Sequence, residues 1–184
     1  MKLVIGLGNF EKKYSTTRHN VGFRILTQYA KEKGIIFQPK EKFKAHIAET
    51  AFDGEKILLA MPTTYYNLCG ESARAVTDFY KIAPEDVLIV HDELALPFGT
   101  IRTRRGGSDA GNNGIKSISA HIGPETARIR VGIYNELRDQ QEDADFVLGT
   151  FSKQESDQLT EITKKATDLI DSFISGTFEH TTHK

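Results

Sequence analysis

Val87-Leu88-Ile89-Val90 is an unbroken run of branched apolar residues, bounded by the turn-forming Pro84-Glu85-Asp86 and by His91-Asp92-Glu93. A strand with no polar face must be covered on both sides, so this run predicts a central strand between two layers. Leu3-Val4-Ile5 reads the same way, and Gly6 and Gly8 end it in a turn where backbone can approach a ligand closely. Between such runs lie helical patterns: Val21, Ile25 and Tyr29; Ala73, Val76, Phe79 and Tyr80; and the stretches 115–121, 143–148 and 153–174. Stretches 45–52 and 56–61 flank Asp53-Gly54, a hairpin signal; Pro97-Phe98-Gly99 turns the chain into 100–105, and 128–133 reads as a further strand. Strands alternating with helices, together with a hairpin, predict one α/β domain over residues 1–184, an α/β/α sandwich around a twisted mixed β-sheet.

Composition narrows the class. The 184 residues are 39% apolar, enough for one core, and no apolar run approaches the roughly 20 residues of a membrane span. The apolar start is too short for a secretory signal, and the single cysteine, Cys69, allows neither an internal disulfide nor a cysteine zinc cluster. The chain therefore reads as cytoplasmic, with no metal or cofactor expected. Its net charge of -1 conceals a segregation: residues 99–130 hold six Lys/Arg against two Asp/Glu, whereas residues 134–184 hold five against eleven. Arginines gathered in this way suit a phosphate-binding face, although a solvated surface of mixed charge has the same composition.

Several motifs can be set aside. Gly6-Leu7-Gly8 lacks the third glycine of a dinucleotide fingerprint, because position 11 is Glu11. The glycine-rich stretch 106–114 has Lys116 and Ser117 in the wrong register for a P-loop. No nucleophile elbow is present, and Cys69 reads as a small packed residue. What remains is His19, expected where a loop enters a helix, and Asp92, expected at the end of the central strand. A carboxylate there can hold an imidazole in one tautomer while its other nitrogen takes a proton from water. Asn9, Asn67 and Asn113 stand at turns and helix starts, where asparagine is ordinary. Their amides can also hold a neutral ester or peptide group without titrating.

Taken in order, Gly6-Leu-Gly-Asn with Tyr14 and Thr17-Arg-His-Asn-x-Gly-Phe, Pro62-x-Thr-Tyr-x-Asn67-x-x-Gly, His91-Asp-Glu-Leu-x-Leu-Pro-Phe-Gly, Gly111-x-Asn113-Gly-x-Lys-Ser-Ile and Val147-Leu-Gly resemble the bacterial peptidyl-tRNA hydrolase family. The resemblance covers nearly the whole chain. It implies a monomeric enzyme that cleaves the ester between a peptide and the 3′ end of tRNA, with His19 as general base and Asp92 as its orienting partner. It implies too that Asn9, Asn67 and Asn113 hold the peptide, ester region and terminal nucleotide, with Tyr14 beside the terminal ribose or adenine. Arg104 and Arg130 fall at positions directed to tRNA phosphates, and Tyr66, Asn112 and Lys116 complete the expected substrate- and tRNA-binding set.

The chain also departs from that family's pattern. Phe10-Glu11 replaces Pro-Gly, Tyr66 replaces a methionine, Asn112 replaces a histidine, and Tyr134-Asn135-Glu136 replaces glycine and proline signals. These departures bear on substrate preference and rate, and they leave a second reading open: an RNA-binding relative with little or no hydrolytic activity.

Overall fold

The computed structural model describes all 184 residues, and both ends of the chain join one eight-stranded sheet. In chain order the elements are β1 (Lys2–Gly6), α1 (Val21–Lys33), β2 (Gln38–Lys40), β3 (Ala45–Phe52), β4 (Glu55–Pro62), α2 (Cys69–Tyr80), β5 (Val87–Pro97), β6 (Ile101–Arg105), α3 (Asn113–Ile122), β7 (Ala127–Tyr134), α4 (Asp143–Leu148), α5 (Lys153–Ser175) and β8 (Thr182–His183). Strand order is β2-β3-β4-β1-β5-β7-β6-β8. The central four, β4, β1, β5 and β7, run parallel, and the outer strands pair antiparallel.

The sandwich follows from side-chain alternation along these strands. Val4, Leu88, Val90, Ile129 and Val131 face α1 and α5, burying Ile25, Leu26, Ile162, Ala166 and Ile170. Leu3, Ile5, Val87 and Ile89 face α2 and α3, burying Ala73, Val76, Ile115 and Ile118. The hairpin between β3 and β4 turns on Asp53 and Gly54, both at positive φ (47° and 78°), the pairing a tight right-twisted hairpin favours.

Three local expectations need correction, and two strands have no counterpart among them. β5 does not stop before His91; it continues to Pro97 on hydrogen bonds from β7 after β1 has ended at the Gly6–Val90 pair. The end of the apolar run marks the loss of one neighbour, not the end of the strand. Phe79 lies off the buried face of α2, 58% exposed, with its ring edge against Phe43 and the Lys42 ammonium over it. Arg128 is not a surface arginine but is buried under the glycine-rich loop, where its guanidinium donates to the carbonyls of Gly107 and Ser108. β2 and β8 carry no apolar signal, because they are short edge strands held by backbone pairing.

Candidate active site

The parallel register brings the C-terminal ends of β1 and β5 together. Leu7 N–H donates to the Val90 carbonyl at 2.9 Å, and the first turn of α1 lies directly over this junction. A Cβ on Gly22 would come within 2.3 Å of the Val90 carbonyl oxygen, and one on Gly6 within 2.7 Å of the Gly22 oxygen. Only glycine permits this approach of helix to sheet. His19 lies in the 3-10 turn Arg18–Asn20 ahead of α1, and Asp92 lies two residues beyond Val90.

Neighbours on both sides hold that turn. The buried Arg18 pairs with Glu155 at 2.8 Å, donates to the Thr150 carbonyl and lies against the rings of Phe146 and Phe151. Glu155 also accepts from Ser152 N–H in the capping box of α5. On the other side Asn20 Oδ1 accepts from Asn9 N–H at 2.8 Å, and Asn20 Nδ2 donates to the Asn9 carbonyl at 2.9 Å.

The side chain of His19 between these anchors meets Asp92: Nδ1–H donates to Oδ2 at 2.8 Å. The Tyr66 hydroxyl donates to Asp92 Oδ1 at 2.6 Å, and the Tyr66 ring stacks on the imidazole with centroids 3.5 Å apart and planes 15° from parallel. Asp92 is buried. Burial by itself would raise its carboxyl, but the adjacent imidazole and the hydrogen bonds from His19 and Tyr66 outweigh it and hold the group below the usual carboxylate range. Burial, with Asp92 next to it, pushes the Tyr66 phenol far up, so it remains a donor. His91 is buried on the opposite face, its Nδ1 donating to the Asp92 carbonyl at 2.7 Å and its Nε2 without a partner; burial lowers its basicity.

The pair opens onto a cleft of about 500 Å3 walled by Asn9, Tyr14, Tyr66, Asn67, Asn112 and Asn113, with α4 and Leu94 opposite. Asn9 Oδ1 accepts from Tyr66 N–H at 2.9 Å, which leaves its Nδ2 as a donor at the wall. Asn67 and Asn113 are exposed. Asn112 caps α3, its Oδ1 accepting from Ile115 N–H at 3.0 Å. All five residues expected to carry the reaction thus meet in one cleft, and so do Tyr14, Tyr66 and Asn112.

The remaining three lie elsewhere. Lys116 is exposed on α3, while Arg104 and Arg130 border a shallow depression of about 380 Å3 with Arg102 and the C-terminal residues His180, Thr181 and Thr182. Arg130 is engaged there by Glu93 at 3.0 Å. Phe10 and Glu11, expected to alter the site, stay outside the cleft: Phe10 packs on the His46 ring and Glu11 pairs with Lys13. The α4 wall, Asn20 and the Arg18–Glu155 pair carried no role in the sequence reading. Asn20 stands inside a recognised motif, but the reciprocal amide pairing it makes with Asn9 depends on how the chain folds back. Cys69 is buried, its thiol pushed up to about 12, in keeping with a packed residue.

The family model described as peptidyl-tRNA hydrolase matches residues 3–184. The chain belongs to the peptidyl-tRNA hydrolase family. It is 42% identical over 175 residues to the peptidyl-tRNA hydrolase of Ligilactobacillus salivarius, covering 95% of this chain and 93% of that one. The Fusobacterium nucleatum protein of the same name is 44% identical over 176 residues, covering 95% and 90%. The crystal structure of peptidyl-tRNA hydrolase from Acinetobacter baumannii superposes with a TM-score of 0.87 at 35% identity, over 96% of this chain and 89% of that one. The fold is thus the one seen in this family of peptidyl-tRNA hydrolases, and the reading as a non-hydrolytic relative is not favoured. No helix is long and apolar enough to cross a membrane.

Proposed function

We propose that this protein hydrolyses the ester joining a peptide to the 3′ end of tRNA, with His19 activating the attacking water. The observation that carries the mechanism is the 2.8 Å bond from His19 Nδ1 to Asp92 at the cleft wall. With Nδ1–H committed to the carboxylate, Nε2 is the unprotonated nitrogen and faces substrate as the base. Water attacks the ester carbonyl as Nε2 takes its proton, and Asp92 stabilises the imidazolium. Collapse of the tetrahedral intermediate returns that proton to the departing ribose oxygen, yielding free peptide carboxylate and tRNA. Asn9 Nδ2 and the amides of Asn67 and Asn113 supply neutral donors for the developing oxyanion and the peptide. Tyr14 flanks the terminal nucleotide, and Arg104 and Lys116 meet tRNA phosphates outside the cleft, with Arg130 beside Arg104 but paired to Glu93.

The reaction written this way draws on the chain's own side chains, within one domain over residues 1–184 acting as a monomer in the cytoplasm. Turnover of an N-blocked aminoacyl-tRNA by the wild type and by His19→Ala tests it. The variant should lose at least about 10³ in kcat/KM. An inactive wild type, or an equally active variant, refutes the assignment.

A further inference from the structure

Two of the residues that set this sequence apart, Tyr66 and Asn112, touch one another and reach the reacting pair together. Asn112 Nδ2 donates to the Tyr66 hydroxyl at 2.9 Å, and that hydroxyl donates to Asp92 Oδ1 at 2.6 Å. The hydrogen arrangement is determined. Asn112 Oδ1 is occupied as acceptor by Ile115 N–H, so its nitrogen faces Tyr66. The carboxylate can only accept, so the phenol must give it its proton. Tyr66 is 4% exposed, with the imidazole stacked on its ring and its hydroxyl turned to Asp92 and Asn112.

We propose that Asn112 and Tyr66 form a hydrogen-bond relay that sets the orientation and basicity of His19 through the second oxygen of Asp92. Both are positioning residues for the hydrolytic step. A donor on Oδ1 withdraws charge from Oδ2 and so weakens its hold on the Nδ1 proton of His19. The stacked ring confines the imidazole to one plane. The donation from Asn112 polarises the phenol and strengthens its own donation.

The other titratable or charged groups around the pair come from every element packed against it. They are Tyr14 ahead of α1, Tyr65 ahead of α2, Cys69 on α2, His91 and Glu93 on β5, Arg130 on β7 and Asp143 on α4. Glu93 is taken up by Arg130; His91 Nδ1 donates to the Asp92 main-chain oxygen, and both that oxygen and His91 Nδ1 lie beside Asn112 Nδ2, at 3.3 and 3.4 Å. The Asp92 carboxylate itself accepts from His19 and Tyr66.

The test is the pH dependence of kcat/KM, with kcat and KM resolved, for Tyr66→Phe, Asn112→Ser and the double variant. Tyr66→Phe should move the acid limb up by about half a pH unit and lower kcat several-fold, with KM within about twofold of wild type because the hydroxyl does not meet substrate. Asn112→Ser keeps a capping oxygen for α3 but loses the donor, so its limb should move the same way by less. The double variant should match Tyr66→Phe alone, as members of one relay must. An unmoved limb in Tyr66→Phe, or a double variant equal to the sum of the two shifts, overturns the relay. If Tyr66→Phe does not fold, an unmoved limb in Asn112→Ser does so. The relay rests on His19 being the base: an inactive wild type refutes that assignment, whereas an active wild type with unmoved limbs refutes the relay alone.

Discussion

Replacing Asp92 by Asn removes a charge while nearly preserving shape, and the structure dictates what the amide must then do. Two donors converge on the carboxylate, His19 Nδ1–H at 2.8 Å and the Tyr66 hydroxyl at 2.6 Å, whereas an amide offers one acceptor and one donor. If its oxygen faces His19, the Tyr66 hydroxyl meets amide hydrogens from both positions 92 and 112 and its own proton is left unpaired in a buried site, at a cost of about 1–3 kcal/mol. If its oxygen faces Tyr66, the amide donates to Nδ1, and His19 is driven to the tautomer with its proton on Nε2. The second arrangement wins, and the productive tautomer falls to roughly a tenth to a hundredth of the population. Losing the carboxylate beside the developing imidazolium costs about 3 kcal/mol more, another hundredfold.

Asp92→Asn should therefore lower kcat/KM on an N-blocked aminoacyl-tRNA by about 10³ to 10⁴ while the protein remains folded by thermal melt. Adding Tyr66→Phe removes the donor that captures the amide oxygen. The two orientations become nearly balanced, and about tenfold of the loss should return. A single variant within about tenfold of wild type, or a double variant no faster than the single, would mean that Asp92 does not select the tautomer of His19.

Three further outcomes follow from other parts of the molecule. Arg104→Ala should weaken tRNA binding and reduce the steepness of its salt dependence by about one phosphate contact, while cleavage of a small 3′-terminal fragment stays near wild type; equal losses on both substrates would place Arg104 in the reaction itself. Burial lowers the basicity of His91, so the folded state takes up its proton less readily than the unfolded chain. Stability should then fall as pH drops below the ordinary histidine value of about 6.5, and His91→Gln, measured by urea unfolding at pH 7 and pH 5, should lose less stability on acidification than wild type; an equal loss would locate the sensitivity elsewhere. Gly22→Ala would place a methyl 2.3 Å from the Val90 oxygen, so expression of folded protein or the melting temperature should drop sharply; a variant of wild-type stability and activity would show that α1 can lift off the sheet without harm.

The central strands, the hairpin and the five helices were legible because each has a period that burial imposes. β5 past Val90, β2 and β8 were not, because what holds them is backbone pairing to a neighbour, which leaves no apolar pattern. The residues of the cleft were legible through chemistry that a core does not need, but their connections were not. Nothing along the chain says that Asn9 binds Asn20, that Arg18 reaches Glu155, or that Arg128 points inward while Arg104, on the strand paired with it, lies at the surface depression. The segment 99–130 is basic in composition, yet one of its arginines is structural and another is committed to Glu93, so its capacity for phosphate is smaller than its charge count.

The pair itself is assembled by backbone, which decides where variation can act. His19 stands three residues before a glycine pressed on the Val90 carbonyl, and Asp92 two residues after it, so their meeting follows from the β1–β5 register and from the closeness of Gly6 to Gly22. Arg18 and Asn20 fix the two residues adjoining His19 to α5 and to the Asn9 turn. A change such as Phe10-Glu11, whose side chains lie against His46 and Lys13, leaves that frame untouched. Tyr66 and Asn112 lie inside it, Tyr66 on the one oxygen of Asp92 that His19 does not use and Asn112 on the Tyr66 hydroxyl. Any difference in pH dependence between this chain and relatives carrying methionine and histidine at those positions should therefore follow residues 66 and 112, and exchanging residues 10 and 11 should leave it where it was.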